Sequence, residues 1–323
     1  MTVLVTGGAG FIGAEVVREL VERGDEAVHV TSHSGAVHRL AEFADRIEMH
    51  ALDLADGAQI TALIEQVRPR AIYHFGAMLS APSEADHQAC IQTNAYGTHT
   101  LLEASRLNGV QQVIFASSLG VFAGADMPRD VLTDQSVQHP DIVYGATKVF
   151  GELLGRYYRR AHGLDFRGIR YPAIVGPGIT TWSTAQYTSW AIERSALGEP
   201  FTIWAPGDYA ITVVYYKEAG RAAVELASAP AAAIKTVNYV IGGVAPTPNA
   251  AQIAELVRAK VPGAQIDFVP HPNLGHLFAN GSPTVDDSCA RAEWGWSPQF
   301  DYPAMIDDML RELAARPVPG RPQ

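Results

Sequence analysis

A glycine-rich segment near the start, Thr6-Gly7-Gly8-Ala9-Gly10-Phe11-Ile12-Gly13, constrains this chain more than any other feature. The apolar run Thr2–Val5 before it predicts a strand, and the amphipathic run Phe11–Glu22 after it predicts a helix. A tight strand-to-helix turn built from glycine lets backbone approach a pyrophosphate closely. The helix N-terminus then offers that anion unpaired N–H groups and the positive end of the helix dipole. Gly-rich turns also occur as empty structural turns. The strand–turn–helix setting favours the phosphate loop.

The alternation continues. Strands are predicted at Ala27–Val30, Ile47–Ala51, Ala71–Phe75, Val113–Ala116 and Asp165–Ile169, and helices at His38–Phe43, Gln59–Gln66, Ile91–Asn108 and Val143–His162. Strands separated by helices pair in parallel through right-handed crossovers. The expected fold is therefore α/β, a Rossmann-type doubly wound parallel sheet with a smaller C-terminal substrate-binding lobe. Regularity breaks after Tyr171, where Pro172, Pro177 and Gly178 mark a loop. Tyr187–Ala196, Lys217–Leu226 and Asn249–Lys260 read as helices, and Val213–Tyr215 and Val237–Ile241 as strands. The dinucleotide-binding domain is expected over 1–170 plus about 211–243, and the substrate lobe over 171–210 and about 244–313. Residues 314–323 form a Pro- and Arg-rich tail.

Composition excludes several function classes. With 47% hydrophobic and 18% charged residues, the 323-residue chain has the makeup of a globular protein. A net charge of −10 opposes nucleic-acid binding and an acidic membrane face. Cys90 and Cys289 form no disulfide framework and no metal-ligand spacing. Met1–Val5 enters the first strand without a basic leader, and no apolar stretch is long enough for a bilayer. A cytoplasmic location is expected.

At the end of the second strand an acid normally takes the adenosine ribose hydroxyls. Here stand Thr31-Ser32-His33-Ser34. Without a carboxylate to repel it, a 2′-phosphate could hydrogen-bond to the hydroxyls and His33. Equally, Thr31 or Ser32 could bind the 2′-hydroxyl of NAD, so NAD and NADP both stay open. Asp53 is placed to meet the adenine amine or to serve as a cap.

Tyr144-Gly145-Ala146-Thr147-Lys148 puts a phenol and an ammonium on one helix face. A phenol near pKa 10 is a poor neutral-pH base, and nearby positive charge brings it towards the working range. Ser118, just past the Val113–Ala116 strand, can hydrogen-bond the substrate oxygen from the other side. Ser118, Tyr144 and Lys148 are the catalytic candidates.

The glycine loop, Asp53-Leu54, Asn94 with Gly97-Thr98, Ser117-Ser118 and Tyr144–Lys148 together resemble the extended short-chain dehydrogenase/reductase family, which includes the NAD-dependent epimerases and dehydratases. Leu79-Ser80-Ala81, Gly163–Arg167, Arg170-Tyr171-Pro172, Asp286-Asp287-Ser288 and Trp294-Gly295-Trp296 resemble its short-chain L-threonine 3-dehydrogenase branch. The resemblance runs from the N-terminus to about Pro298. It implies cofactor contacts from Gly7, Gly10, Phe11, Ile12, Gly13, Thr31, Ser32, His33, Asp53, Leu54, Phe75, Gly76, Ala77, Asn94, Tyr144, Lys148 and Tyr171. It implies a substrate site of Ser80, Ser118, Tyr144, Thr180, Thr181 and Trp182. It also implies a homodimer seamed by the helices at Ile91–Asn108 and Val143–His162.

Three departures from the family pattern matter physically. The second-strand acid is absent. Trp182 follows Thr180-Thr181 where the threonine enzymes have an acid, and Ala210 stands where an Arg is common. Without a guanidinium at 210, a sugar-nucleotide diphosphate loses a grip. Trp182, Trp190, Trp204 and Tyr209 supply aromatic surface, either to a pocket or to lobe packing, with Trp190 the stronger candidate for packing. His271 and His276 lie without carboxylates or cysteines around them, so no metal is expected. The expected activity is NAD(P)-dependent interconversion of a small secondary alcohol and its ketone, with a nucleotide-sugar epimerase as the alternative. A dehydratase lacks its usual Asp-Glu pair, since Leu119-Gly120 follow Ser118. A non-catalytic dinucleotide sensor has no use for the intact Ser118, Tyr144 and Lys148 set.

Overall fold

Short β-branched runs closed by glycine or polar turns set the centre of the molecule, which the computed structural model describes over residues 1–24, 27–33, 38–124, 127, 130–270 and 283–315. Strand β1 (Thr2–Thr6) feeds helix α1 (Phe11–Arg23), and β2 (Ala27–Ser32) leads through a 3-10 segment (His38–Arg46) to β3 (Ile47–Ala51). Helix α2 (Gly57–Val67) starts where the Asp56 carboxylate accepts the N–H groups of Ala58 and Gln59. Asp56, not Asp53, is the cap. After β4 (Ala71–His74) come α3 (Ser80–Ala85) and α4 (His87–Cys90). A π-helical stretch (Ile91–Tyr96) then joins α4 to α5 (Gly97–Leu107), where the sequence predicts one regular helix.

The chain next forms β5 (Gln112–Ser118), the short β6 (Val131–Leu132), α6 (Val143–His162) and β7 (Asp165–Tyr171). Beyond them lie β8 (Ala173–Val175), α7 (Tyr187–Ala196), β9 (Phe201–Ile203), β10 (Val213–Tyr215), α8 (Tyr216–Ser228) and β11 (Asn238–Val240). The central sheet has seven strands in the order β11-β7-β5-β4-β1-β2-β3. Every pairing in it is parallel. Strand order reverses between β1 and β4, so a crevice opens outside their carboxyl ends. Val3, Val5, Val28 and Val30 face α1 and α8 on one side, while Leu4, Ile72 and Val113 face α2 and α5 on the other.

Most of the remaining elements build the smaller lobe, while α8 and the helix Ser288–Trp294 return to the core of the central sheet. β10 pairs with β8 outside the central sheet, although α8 returns to pack on α1. β9 pairs with β12 (Ile266–Phe268), and α9 (Ala250–Lys260) begins at a reciprocal Asn249–Gln252 cap. β13 (Thr284–Val285) pairs with β6, followed by α10 (Ser288–Trp294) and α11 (Tyr302–Ala315). Tyr187, Ile192, Ile203, Val213, Ile253 and Met305 form this lobe's own core. The loop carrying His271 and His276, and most of the tail, lie outside the described residues. Among those described, no helix is long and apolar enough to cross a membrane.

Candidate active site

The glycine loop sits at the reversal point. Gly7 has φ +64°, and a Cβ there would lie 2.6 Å from the Gly76 Cα. A Cβ at Gly13 would lie 2.3 Å from the Gly7 carbonyl oxygen. The loop therefore folds tightly on itself and against the end of β4, which only glycine permits. Gly10 caps α1 without a side-chain hydrogen bond, and the first turn of α1, where Phe11 and Ile12 stand, holds no acidic residue. A bare helix N-terminus in such a cradle suits a dinucleotide's pyrophosphate. Leu54, Phe75, Gly76 and Ala77 stand beside it: the Phe75 N–H bonds the Thr6 carbonyl at 3.0 Å, and Leu54 packs over Gly76.

At the end of β2 the three expected contacts divide. Thr31 is buried, and its hydroxyl accepts the Gly7 N–H at 3.1 Å. It braces the phosphate loop. Ser32 is also buried. His33 is 79% exposed, with Nε2 3.9 Å from the Asp53 carboxylate, so these two flank the open side. Tyr171 turns its hydroxyl away to the Ala219 carbonyl at 2.8 Å and meets the site only through its ring against Phe75.

Helix α6 delivers the catalytic candidates. Tyr144 stands in its first turn, part-buried, and Gly120 brings Ser118 Oγ and the Tyr144 ring to one place. The Ser118 hydroxyl accepts the Gly120 N–H at 3.0 Å and hydrogen-bonds the phenol. One turn on, Lys148 is buried with Nζ donating to the Ala116 carbonyl at 2.8 Å. Burial pushes the phenol up to about 12 despite the Ser118 hydrogen bond, and pushes the ammonium down to about 8. In the protein without cofactor, burial thus outweighs the pull of Lys148; the expected lowering rests on Lys148 and the nicotinamide charge together.

A nucleotide-binding turn at the sheet's reversal point, with Ser, Tyr and Lys converging beside it, matches one family description along residues 3–242: NAD dependent epimerase/dehydratase. The chain belongs to that family. It is a nicotinamide-dependent oxidoreductase of the extended short-chain type. Among curated relatives, mitochondrial L-threonine 3-dehydrogenase of Bos taurus is 29% identical, covering 95% of this chain and 81% of the relative. Among solved structures, the holo form of a GalE-like L-threonine dehydrogenase from Cupriavidus necator is 31% identical with TM-score 0.87, covering 97% of this chain and 100% of that one. A UDP-glucose 4-epimerase from Thermotoga maritima, solved with UDP-glucose, is 25% identical with TM-score 0.85, covering 98% and 99%.

The motif residue Asn94 and several residues outside the motifs support this epimerase/dehydratase-family site. Asn94, in the π-helical stretch, donates to the Met78 carbonyl at 2.9 Å and accepts the Met78 N–H at 2.8 Å. Its amide also donates to Thr147 Oγ1 at 3.3 Å, so one buried side chain ties the segment before Ser80 to the catalytic helix. His74 bridges Thr6 at 2.7 Å and Thr98 at 3.1 Å, and burial pushes its imidazole down to about 3. One turn beyond Lys148, buried Glu152 takes a forked bond from Arg170 at 2.7 to 3.1 Å and a hydrogen bond from Ser117 at 2.5 Å. The spacing of Glu152 from Lys148 is the only hint of this in the sequence.

On the lobe side Ser80 is part-buried at the start of α3, Thr180 is exposed and Thr181 is part-buried. Trp182 is 41% exposed and leans on Trp204 at 6.0 Å between ring centres. Trp204 also meets Tyr187, Trp190 and Phe201. Trp190 and Tyr209 are part-buried against this core, so both serve lobe packing. Arg39 reaches across from the segment after β2: its guanidinium lies over the Phe11 ring at 5.2 Å and donates to the Gly178 carbonyl at 2.6 Å.

Proposed function

We propose that this enzyme oxidises the secondary alcohol of a small hydroxy compound, with Tyr144 taking the hydroxyl proton. The convergence of Ser118 and Tyr144 above a buried Lys148 carries this reading. Oxidised nicotinamide, when bound, supplies the acceptor for the hydride and a positive charge near the phenol. Gly7, Gly10, Phe11, Ile12 and Gly13 would hold the pyrophosphate, and His33 and Asp53 the adenosine end. Ser118 positions the substrate oxygen. Lys148, fixed on Ala116, would hold the ribose and, with the nicotinamide charge, stabilise the Tyr144 phenolate that takes the proton. In the reverse direction Tyr144 returns the proton to the forming alkoxide.

The relatives named L-threonine dehydrogenase make a β-hydroxy amino acid the leading substrate class. Ser80, Thr180 and Thr181 would hydrogen-bond its polar groups. An exposed aromatic at 182 in place of an acid favours a larger, less polar side chain than that of threonine. Ala210, whose backbone pairs with Asn249, offers no cation to a diphosphate, which favours this reading over sugar epimerisation. NADP is tolerated beside NAD because no acid closes the end of β2. Tyr96 is exposed on the π-helical stretch before α5, and Phe150, Leu153 and Tyr157 are exposed on α6; they support a dimer seamed there.

A panel of L-threonine, β-hydroxy amino acids with larger side chains, small hydroxy acids and UDP-glucose, read by nicotinamide absorbance and product chromatography, tests the assignment. Reduction of cofactor with a bulkier hydroxy amino acid is the expected result. Preference for L-threonine would refute the aromatic-wall argument alone. Conversion of UDP-glucose without net reduction would overturn the reading.

A further inference from the structure

The outer strands β2 and β3 carry a feature that the oxidoreductase site does not use. Val28 and Val30 of β2 face α1, as do Ile47 and Met49 of β3. Period-two alternation therefore sends His29, Glu48 and His50 to the opposite face. Register places His29 directly beside Glu48, with His50 two residues on. His29 Nδ1 lies 2.9 Å from His50 Nε2, and the Glu48 carboxylate lies 3.5 Å from the first and 3.7 Å from the second. Both imidazoles are mostly buried, at 14% and 13% side-chain exposure, while Glu48 is 62% exposed.

We infer that His29, His50 and Glu48 form a binding site for a divalent transition cation of the zinc class. Two imidazole nitrogens and one carboxylate are a donor set this class prefers over magnesium or calcium. Around a tetrahedral Zn²⁺ with bonds near 2.0–2.1 Å, ligand atoms stand about 3.3 Å apart. The imidazole pair at 2.9 Å lies just inside that value, and the nearest carboxylate oxygens, Oε2 to His29 and Oε1 to His50, lie just outside it. Without the cation the two rings share one proton in a hydrogen bond. On binding, that proton moves to the far nitrogen of its ring, both near nitrogens present lone pairs, and Glu48 swings in from solvent. Water completes the tetrahedron. The site depends on strand register alone, which is why His29 shows no metal spacing with Glu48-Met49-His50 along the chain.

The test uses untagged, metal-stripped full-length protein and Zn²⁺ or Co²⁺ as the probe. Titration calorimetry is expected to show about one Zn²⁺ per chain, and Co²⁺ to give the intense visible absorption of a tetrahedral complex. His29→Ala and His50→Ala should each weaken binding at least tenfold and abolish the cobalt bands. Glu48→Gln, at an exposed side chain, should weaken binding with the circular dichroism unchanged. His87→Ala, beside Glu84 on another element, should change nothing. Absence of stoichiometric uptake, or uptake that survives the His29→Ala/His50→Ala double variant, would overturn the site and show an imidazole pair that only shares a proton.

Discussion

The Lys148 ammonium donates to the Ala116 carbonyl at 2.8 Å and stands 5.6 Å from the centre of the Tyr144 ring. It is thus fixed to the sheet and acts on the phenol through space. Its charge favours the phenolate, so its removal should make Tyr144 harder to ionise. Lys148→Met is expected to move the acid limb of the kcat profile for alcohol oxidation up by at least about one pH unit. A limb that stays in place would restrict Lys148 to holding the ribose.

Tyr144→Phe removes the proton acceptor and leaves the aromatic packing. Turnover should fall about 10²–10⁴-fold, the usual contribution of a general acid–base group. Cofactor affinity, followed by fluorescence titration, should change little. Full turnover in the variant would exclude Tyr144 from the chemistry.

Thr31 and His33 are expected to separate. Because the Thr31 hydroxyl braces Gly7, Thr31→Val should weaken NAD and NADP alike. On the proposed reading the exposed His33 would meet the adenosine end, so His33→Asp should repel a 2′-phosphate and raise the NAD/NADP affinity ratio at least tenfold. Dissociation constants for both cofactors decide the matter, and an unchanged ratio in His33→Asp would remove His33 from cofactor choice.

His74 should make the protein acid-sensitive. Its imidazole sits at about 3 in the fold against 6.5 when free, so the unfolded chain binds the proton first as pH falls. Its contribution is therefore fully present above pH 6.5 and is lost as pH drops towards 3. From this residue the slope is about 1.4 kcal/mol per pH unit between pH 6 and 5, above the carboxylate range. His50, also held down by burial, adds in the same direction. Urea unfolding at pH 7, 6 and 5 should show that loss, and His74→Gln should flatten it.

The sheet and the catalytic helix were readable because their signals are local. A glycine loop after a strand, alternating apolar runs, and a phenol one turn from a lysine each declare themselves within a short window. The brace from Thr31 to Gly7 stayed hidden because it joins two segments, a contact that no strand-end pattern reveals. Asn94 was legible as a motif residue, but its tie between Met78 and Thr147, like His74 and the Glu152–Arg170 pair, acts across distant segments and appears only once the sheet closes. The three-residue strands β8, β9 and β12 depend on partners in the smaller lobe and carry too little periodicity to be seen alone.

The Arg39–Gly178 contact sets a rule for recombination within the family. The loop leading to Thr180 and Trp182 belongs to one lobe, but the cation that holds its backbone is encoded well upstream, just after β2. A foreign small lobe grafted after β7 would arrive without evolving alongside that guanidinium. The proposed substrate wall is therefore not a cassette: altering it by exchange means choosing residue 39 together with it.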